Sequence, residues 1–179
     1  MNTNKHIILL SFIVSLSFCS KIMDDTLMEI KQVFPNALSI NHSKYSLSKE
    51  SIKNIQNIVR QKFFRSDLNL WTIIDSDSSS YYGILDNVKG KSLPITFLTI
   101  FNDSAKVHHA SIIKYREGYG GEVGNRRWLN QFNTYTDSSK YKVGDDISSI
   151  TGATISVHSV TKGIRKLSYL IHEIIKNNE

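Results

Sequence analysis

A long amphipathic pattern near the C-terminus constrains the fold more than any other feature of the chain. Apolar residues recur at spacings of three and four across residues 157–174, which is the periodicity of a helix with one buried face. The sequence therefore predicts a long helix that begins at Thr154 or just before it. The members of its apolar stripe are Val157, Val160, Ile164, Leu167, Ile171 and Ile174.

The middle of the chain has strand character instead. Four β-rich segments follow one another, at residues 70–74, 81–88, 93–101 and 106–115, and short turn-like stretches separate them. Consecutive strands joined by short turns form an antiparallel meander. We therefore expect an α+β domain, with an antiparallel β-sheet flanked by helices before and after it.

The segment before these strands predicts helices. A polar lead-in across residues 21–44 contains an amphipathic piece around residues 27–34, which Pro35 ends. A clearer helix is predicted from Ser48 to Phe64, with Ser48 as its N-cap. Its apolar stripe is typical of core packing: Ile52, Ile55, Val59 and Phe63.

Residues 1–20 are predicted to be an export signal and not part of the fold. A lysine and a histidine precede an apolar run at residues 7–18, which is too short for an ordinary membrane-spanning helix. Ser17 and Cys19 form a small-x-small pattern that predicts cleavage before Ser20. Lipidation of Cys19 is the alternative, and Phe18 argues against it because that position normally holds a small residue.

Composition and length limit the remaining possibilities. The 179 residues suffice for the export segment and one compact domain, residues 21–179. The formal net charge of +6 suits an anionic ligand or a membrane surface. The basic residues are dispersed and form no dense tract interleaved with aromatic residues, which disfavours nucleic-acid binding. Cys19 is the only cysteine, so the mature domain has no intrachain disulfide.

Several catalytic and metal-binding motifs fail on inspection. Gly90-Lys91-Ser92 is not the end of a phosphate-binding P-loop, because Leu85 stands where that loop needs glycine. His108 and His109 are neighbours on a predicted strand and should point to opposite faces, which disfavours one shared metal. No Ser-His-Asp arrangement follows from spacing, and the sequence predicts neither a catalytic residue nor a metal site.

Two glycine-containing stretches carry the functional information. Thr151-Gly152-Ala153-Thr154 precedes the long helix, where free N–H groups and the helix dipole favour a phosphate. Its small residues let a ligand approach the backbone closely. The alternative is that Thr151 or Thr154 only caps the helix. The second stretch runs from Tyr115 to Val123, at the end of a predicted strand; a mobile turn is the alternative there.

These stretches resemble the FMN-binding domain family, and along the chain they follow one another in the family's order. The first resembles the family's (Ser/Thr)-Gly-Ala-Thr flavinylation motif, and the second its Glu-x-x-Gly segment, with Glu117 at its start. Gly90-Lys91-x-x-Pro94-Ile95-Thr96 also resembles smaller exported members, so the likeness extends over about residues 82–170. The family includes periplasmic subunits of Rnf complexes and of sodium-translocating NADH:quinone oxidoreductase.

The resemblance implies that Thr154 carries FMN through a phosphoester bond. It places Thr151, Gly152, Ala153 and Ser156 beside the cofactor, and Glu117, Gly120 and Gly121 in the lining of its pocket. A valine at Gly121 is therefore expected to crowd the flavin. The resemblance also implies a magnesium-dependent flavin transferase that supplies FMN from FAD.

The function implied is electron transfer rather than stand-alone catalysis. The partner would be a redox protein or a membrane electron-transport component, and the location the periplasm or the outer surface of the cytoplasmic membrane. Two alternatives stay open: an exported flavin-dependent reductase of a small molecule, and a binding or structural module without flavin. The second arises because Ser148 stands where the family usually has Asp three residues before the motif.

Overall fold

The computed structural model describes residues 21–178, so the predicted export segment and Cys19 lie outside the described residues. The chain divides after Pro35 into two compact units. The first unit contributes helix α1, residues 21–33, which covers most of the amphipathic piece predicted around residues 27–34. Between residues 21 and 178, no helix combines the length and the apolar character needed to cross a membrane.

The second unit, from Asn36 onward, is built on one antiparallel sheet. Within its described residues five strands lie in sequence order, and each pairs with its neighbours in the chain. The predicted meander and the α+β class are confirmed. The strands are β1 (Ser39–Ser46), β2 (Asp67–Ile74), β3 (Ser80–Lys89), β4 (Pro94–Asn102) and β5 (Val107–Lys114).

Strand β1 was not predicted, because the segment was interpreted as part of a polar lead-in. None of its eight side chains is buried, so the sequence shows no alternation of apolar and polar residues. Backbone pairing with β2 defines the strand instead, from Ser39 opposite Ile74 to Ser46 opposite Asp67. A polar edge strand of this kind resists pairing with other chains.

Helix α2 (Lys49–Val59) begins as predicted and ends earlier than predicted. The Ser48 side chain accepts a hydrogen bond from the Ser51 amide, which confirms it as the N-cap. The expected end at Phe64 is wrong, because Arg60 adopts a left-handed conformation with φ of 58°. Gln56 stabilises this exit: its carbonyl accepts from the Arg60 amide, and its side chain accepts from the Phe63 amide.

Helix α3 (Arg126–Leu129) is a single turn, and helix α4 (Thr154–Lys176) is the long C-terminal helix that the sequence predicts. Every member of the predicted α4 stripe is at most 1% exposed. The helix packs on β3 and β4 and also contacts α2. The central strands therefore provide the apolar surface that the amphipathic pattern requires.

A buried ion pair fixes α4 to the sheet. Lys166 Nζ lies 2.7 Å from Asp86 Oδ2 on β3, and both side chains are almost fully buried. The same ammonium donates to the Lys62 carbonyl at 3.1 Å and lies 4.4 Å from the centre of the Phe63 ring. The sequence pattern did not predict this pair.

Gly163 of α4 packs closely against side chains of β3 and β4. A Cβ atom there would lie 2.6 Å from Val88 Cγ1 and 2.8 Å from Phe97 Cζ. Alanine normally favours a helix by about 1 kcal/mol over glycine. We expect Gly163→Ala nevertheless to lower the free energy of unfolding by about 1–3 kcal/mol, because the contact overpacks the core.

Urea unfolding measures this effect. The exposed neighbour Lys162 provides the control, since Lys162→Ala should change the unfolding free energy by less than about 0.5 kcal/mol. If Gly163→Ala were more stable than the parent, α4 would have to lie further from the sheet than these distances indicate.

Candidate functional site

A cleft of about 610 Å³ lies at one end of the sheet. Three segments that are distant in sequence form it: the β3–β4 turn, the loop after β5, and the first turn of α4. Its volume is in the range of small-molecule and cofactor sites. The lining residues are Lys91, Ser92, Leu93, Arg116, Glu117, Gly118, Tyr119, Gly152, Ala153, Thr154, Ile155 and Ser156.

Glu117 fixes the β3–β4 turn to the loop after β5. Its Oε1 atom accepts hydrogen bonds from the amides of Ser92 at 3.1 Å and Leu93 at 3.4 Å. Gly90 has no room for a side chain, because a Cβ atom would overlap Glu117 Oε1 and lie 2.7 Å from the Leu93 carbonyl oxygen. Glu117 lines the cleft, and its carboxylate shapes the wall by binding backbone amides.

Tyr115 connects the same loop to α4. Its hydroxyl donates to the Tyr119 carbonyl, so at the 3.0 Å contact with Ser156 the serine hydroxyl is the donor. Gly120 packs inside this corner with φ of +83°, and a Cβ atom there would lie 2.8 Å from Tyr115 Oη. Ser156 is buried and engaged, which leaves its hydroxyl poorly placed to react with a ligand.

The start of α4 is open. Ala153 occupies the N-cap position, and among the described residues no side chain caps this helix end. The alternative that Thr151 or Thr154 serves as the N-cap is therefore wrong. Thr154 is exposed and lines the cleft, whereas Thr151 is exposed and is not among the lining residues. The amides of the first turn are available to an anion.

Arg116 is a cleft residue that sequence reasoning did not select. Its guanidinium donates to the Pro94 carbonyl at 2.8 Å and to Thr96 Oγ1 at 3.0 Å. Thr96 in turn donates to Asn87 Oδ1 at 2.7 Å. Burial lowers the pKa of the guanidinium from its usual value. The sequence could have indicated Arg116 as a site residue through its position directly before Glu117 in the second motif.

The apolar part of the cleft is exposed to solvent. Leu93, Tyr119 and Ile155 are large apolar side chains that line the cleft and remain exposed. An aromatic ligand would cover them, while Lys91, Arg116 and the first turn of α4 would attract its anionic group. The cleft thus suits a ligand with a flat apolar ring and a phosphate.

A comparison with protein-family models supports FMN as the ligand. Residues 90–168 match the model of the FMN-binding domain. Residues 90–168 belong to the FMN-binding domain family. Every lining residue of the cleft falls inside this matched stretch, so the FMN-binding domain and the cleft coincide. No curated protein matches the chain.

The predicted site residues of the FMN-binding domain divide into two groups. Within the cleft lining the structure brings together Glu117, Gly152, Ala153, Thr154 and Ser156. Thr151, Gly120 and Gly121 lie outside the lining. Gly120 lies next to the lining, because a Cβ atom added there would be 2.8 Å from Tyr115 Oη and 3.4 Å from Ala153.

Ser148, which replaces the family's usual Asp, lies in a groove of about 420 Å³ that is separate from the cleft lining. Its amide donates to Gln131 Oε1, and its carbonyl accepts from Trp128 Nε1, both at 2.8 Å. The upstream carboxylates do not replace the missing Asp in the lining: Asp145 pairs with Lys142, and Asp146 accepts from the Lys142 amide.

The prediction that His108 and His109 point to opposite faces is confirmed, since His108 is exposed and His109 is buried. Within residues 21–178, no three His, Cys, Asp or Glu side chains are grouped as metal ligands would be.

Gly120 and Gly121, two of the three glycines in the second motif, are expected to differ in their tolerance of a side chain. A Cβ atom at Gly121 would make ordinary contacts of 3.7 and 3.8 Å with the Tyr115 ring, so the protein itself has room for a small side chain there. Gly120 has both a positive φ and a contact of 2.8 Å. We expect Gly120→Ala to lower the unfolding free energy by about 1–3 kcal/mol and to reduce FMN content.

Gly121→Ala is the matched control and should retain both stability and FMN content. Thermal unfolding and flavin absorbance of the purified variants measure the two quantities. Equal losses in both variants would contradict the assignment of the close contact to Gly120.

Proposed function

We propose that this protein is an exported electron-transfer flavoprotein that carries FMN covalently on Thr154. One observation supports the attachment point most directly. Within the cleft of the FMN-binding domain, the Thr154 hydroxyl is exposed at the uncapped start of α4. The rival hydroxyl of Ser156 is buried against Tyr115, and that of Thr151 lies outside the lining.

Attachment requires an external flavin transferase in this proposal. The Thr154 oxygen forms a bond to the FMN phosphorus of FAD, the bond between the two phosphates breaks, AMP leaves, and the threonine proton passes to a base of the transferase. The phosphodiester that results keeps one negative charge. The first turn of α4 should stabilise this charge by roughly 0.3–1 kcal/mol.

The residues of the cleft suit a carrier better than a substrate-specific enzyme. Bound FMN supplies one- and two-electron chemistry. Leu93, Tyr119 and Ile155 offer apolar contact to the ring, and Lys91 and Arg116 favour its anionic groups. The Glu117 carboxylate is occupied by the amides of the β3–β4 turn, which leaves it poorly placed to act as an acid or base on a substrate.

Intact-mass measurement tests the proposal. Protein produced together with a flavin transferase should gain the mass of FMN less one water, and its flavin fluorescence should survive denaturation. Protein produced without the transferase should show neither. A wild-type chain that never gains this mass would identify it as a non-covalent FMN binder or a module without flavin.

Cell fractionation of the native host tests the export part. The chain should be found outside the cytoplasm and shortened by the removal of residues 1–19. Lipidation at Cys19 would leave the chain starting at Cys19 and membrane-bound, and Cys19→Ala would release it. An unprocessed chain that accumulates in the cytoplasm would contradict export.

A further inference from the structure

A second groove lies beside the flavin cleft. It has a volume of about 420 Å³ and shares Ser92 and Leu93 with the cleft, so the two lie side by side. We call it the basic groove. Its lining residues are Phe64, Arg65, Asn87, Lys89, Ser92, Leu93 and Pro94.

The lining of the basic groove contains two cations and no carboxylate. Arg65 and Lys89 line it and are exposed, and Lys91 and Arg116 follow in the adjoining cleft. Two carboxylates are near the groove in sequence: Asp67 pairs with Lys44 at 2.7 Å and lies 3.8 Å from Arg65, and the buried Asp86 pairs with Lys166. The cleft's own carboxylate, on Glu117, is bound to backbone amides.

The opposite end of the sheet carries the opposite charge. In an antiparallel meander successive turns alternate between the two ends, so the β2–β3 and β4–β5 turns lie away from the cleft. These turns carry Asp75, Asp77 and Asp103, and all three carboxylates contribute to raising the pKa of Tyr81, after the larger effect of its burial. With Lys106 as their one cation these two turns are net negative, whereas the linings of the groove and the cleft are net positive.

Apolar side chains lie among these cations. Phe64 is 53% exposed and Leu93 is 45% exposed, and both line the basic groove. Exposed aromatic and aliphatic side chains ringed by charged ones are typical of transient protein interfaces. A polarised charge distribution also orients an oppositely charged protein as it approaches.

We propose that the basic groove docks an acidic redox protein, which exchanges electrons with the flavin held in the adjoining cleft. This inference rests on the proposed function, because it names the partner class of the same site. The concave shape of the groove favours a protruding protein surface over a flat lipid surface. Because the groove lies next to the cleft and shares Ser92 and Leu93 with it, a partner docked there would hold its redox centre close to the flavin.

Stopped-flow oxidation of the reduced, flavin-loaded protein tests the inference. The probes are an acidic blue-copper protein and a basic c-type cytochrome, each of which accepts one electron. Full reoxidation therefore consumes two copper(II) or two iron(III) ions per flavin and releases the flavin's protons to solvent. We expect the rate with the copper protein to fall as salt is added, and the rate with the cytochrome to rise.

Two variants that each remove two positive charges locate the effect. Arg65→Gln/Lys89→Gln should slow oxidation by the copper protein about tenfold at low salt. The control, Lys106→Gln/Lys176→Gln, changes exposed lysines at or near the acidic turns and should alter the rate by less than about twofold. Equal effects of the two variants would overturn the inference.

Binding of the flavin-free protein gives a readout that does not depend on loading. In NMR titrations with the copper protein, amide shifts should concentrate at Phe64–Arg65 and Lys89–Leu93. Shifts elsewhere, or binding of phosphatidylglycerol vesicles but not the acidic protein at these residues, would overturn the inference. Failure of FMN attachment would instead contradict the proposed function, while these shifts could still be observed.

Discussion

Thr154→Ala is expected to abolish covalent FMN attachment completely. The substitution removes the oxygen that would bond to phosphorus, and of the three hydroxyls at the start of α4 only that of Thr154 belongs to an exposed residue of the cleft lining. Thr154 is exposed at the start of α4, while Ser156 is buried against Tyr115. The measurement is intact mass after production with a flavin transferase, together with fluorescence of the denatured protein.

Two further variants make this result specific. Thr154→Ser keeps a hydroxyl at the same backbone position and should retain part of the label. Thr151→Ala removes an exposed hydroxyl three residues away and should retain all of it, because Thr151 lies outside the cleft lining. Full labelling of Thr154→Ala, or loss of labelling in Thr151→Ala alone, would move the attachment point.

Lys166→Met is expected to lower the unfolding free energy by about 3–5 kcal/mol, since removing one partner leaves the other charge buried and unpaired. The partner is Asp86, whose side chain is 2% exposed. Urea unfolding followed by the fluorescence of the buried Trp71 measures the loss. The pair holds α4 against β3, so the variant should also load FMN poorly.

The double variant Lys166→Met/Asp86→Asn separates the charge from the packing. It removes both charges at nearly constant volume and should recover much of the stability lost in Lys166→Met. Lys162→Met changes an exposed lysine on the same helix and should be nearly neutral. A loss in Lys166→Met no larger than in Lys162→Met would mean that the ion pair contributes little to holding α4.

Sequence periodicity predicted the parts of the fold that bury apolar side chains. The α4 stripe and the paired central strands follow this rule, because core burial leaves a regular pattern of side chains. Strand β1 does not, since backbone pairing at the sheet edge needs no apolar residue. The early end of α2 depends on one left-handed residue, Arg60, which the helical pattern does not mark.

Sequence and resemblance together selected the segments of the candidate site, and the structure adds the contacts that join them. Tyr115 contacts Ser156, and Glu117 accepts hydrogen bonds from the β3–β4 turn. These hydrogen bonds join residues that are between 24 and 41 positions apart in the sequence. Such long-range hydrogen bonds leave no periodic signal. The buried Lys166 is a similar case, because helical spacing alone does not reveal the Asp86 that compensates it.

The sequential order of the strands also has a consequence for how the chain folds. Strands β2 to β5 each pair with a neighbour across a short turn, whereas β1 pairs with β2 across the segment that contains α2, so most of the sheet forms through contacts of low sequence separation. Helix α4 closes a much longer loop when it packs on β3 and β4, and loop closure of that kind is entropically costlier. The third wall of the cleft is the first turn of this helix. The cofactor site is therefore completed only when the last element of the chain docks, and a nascent chain that still lacks α4 has no complete flavin cleft.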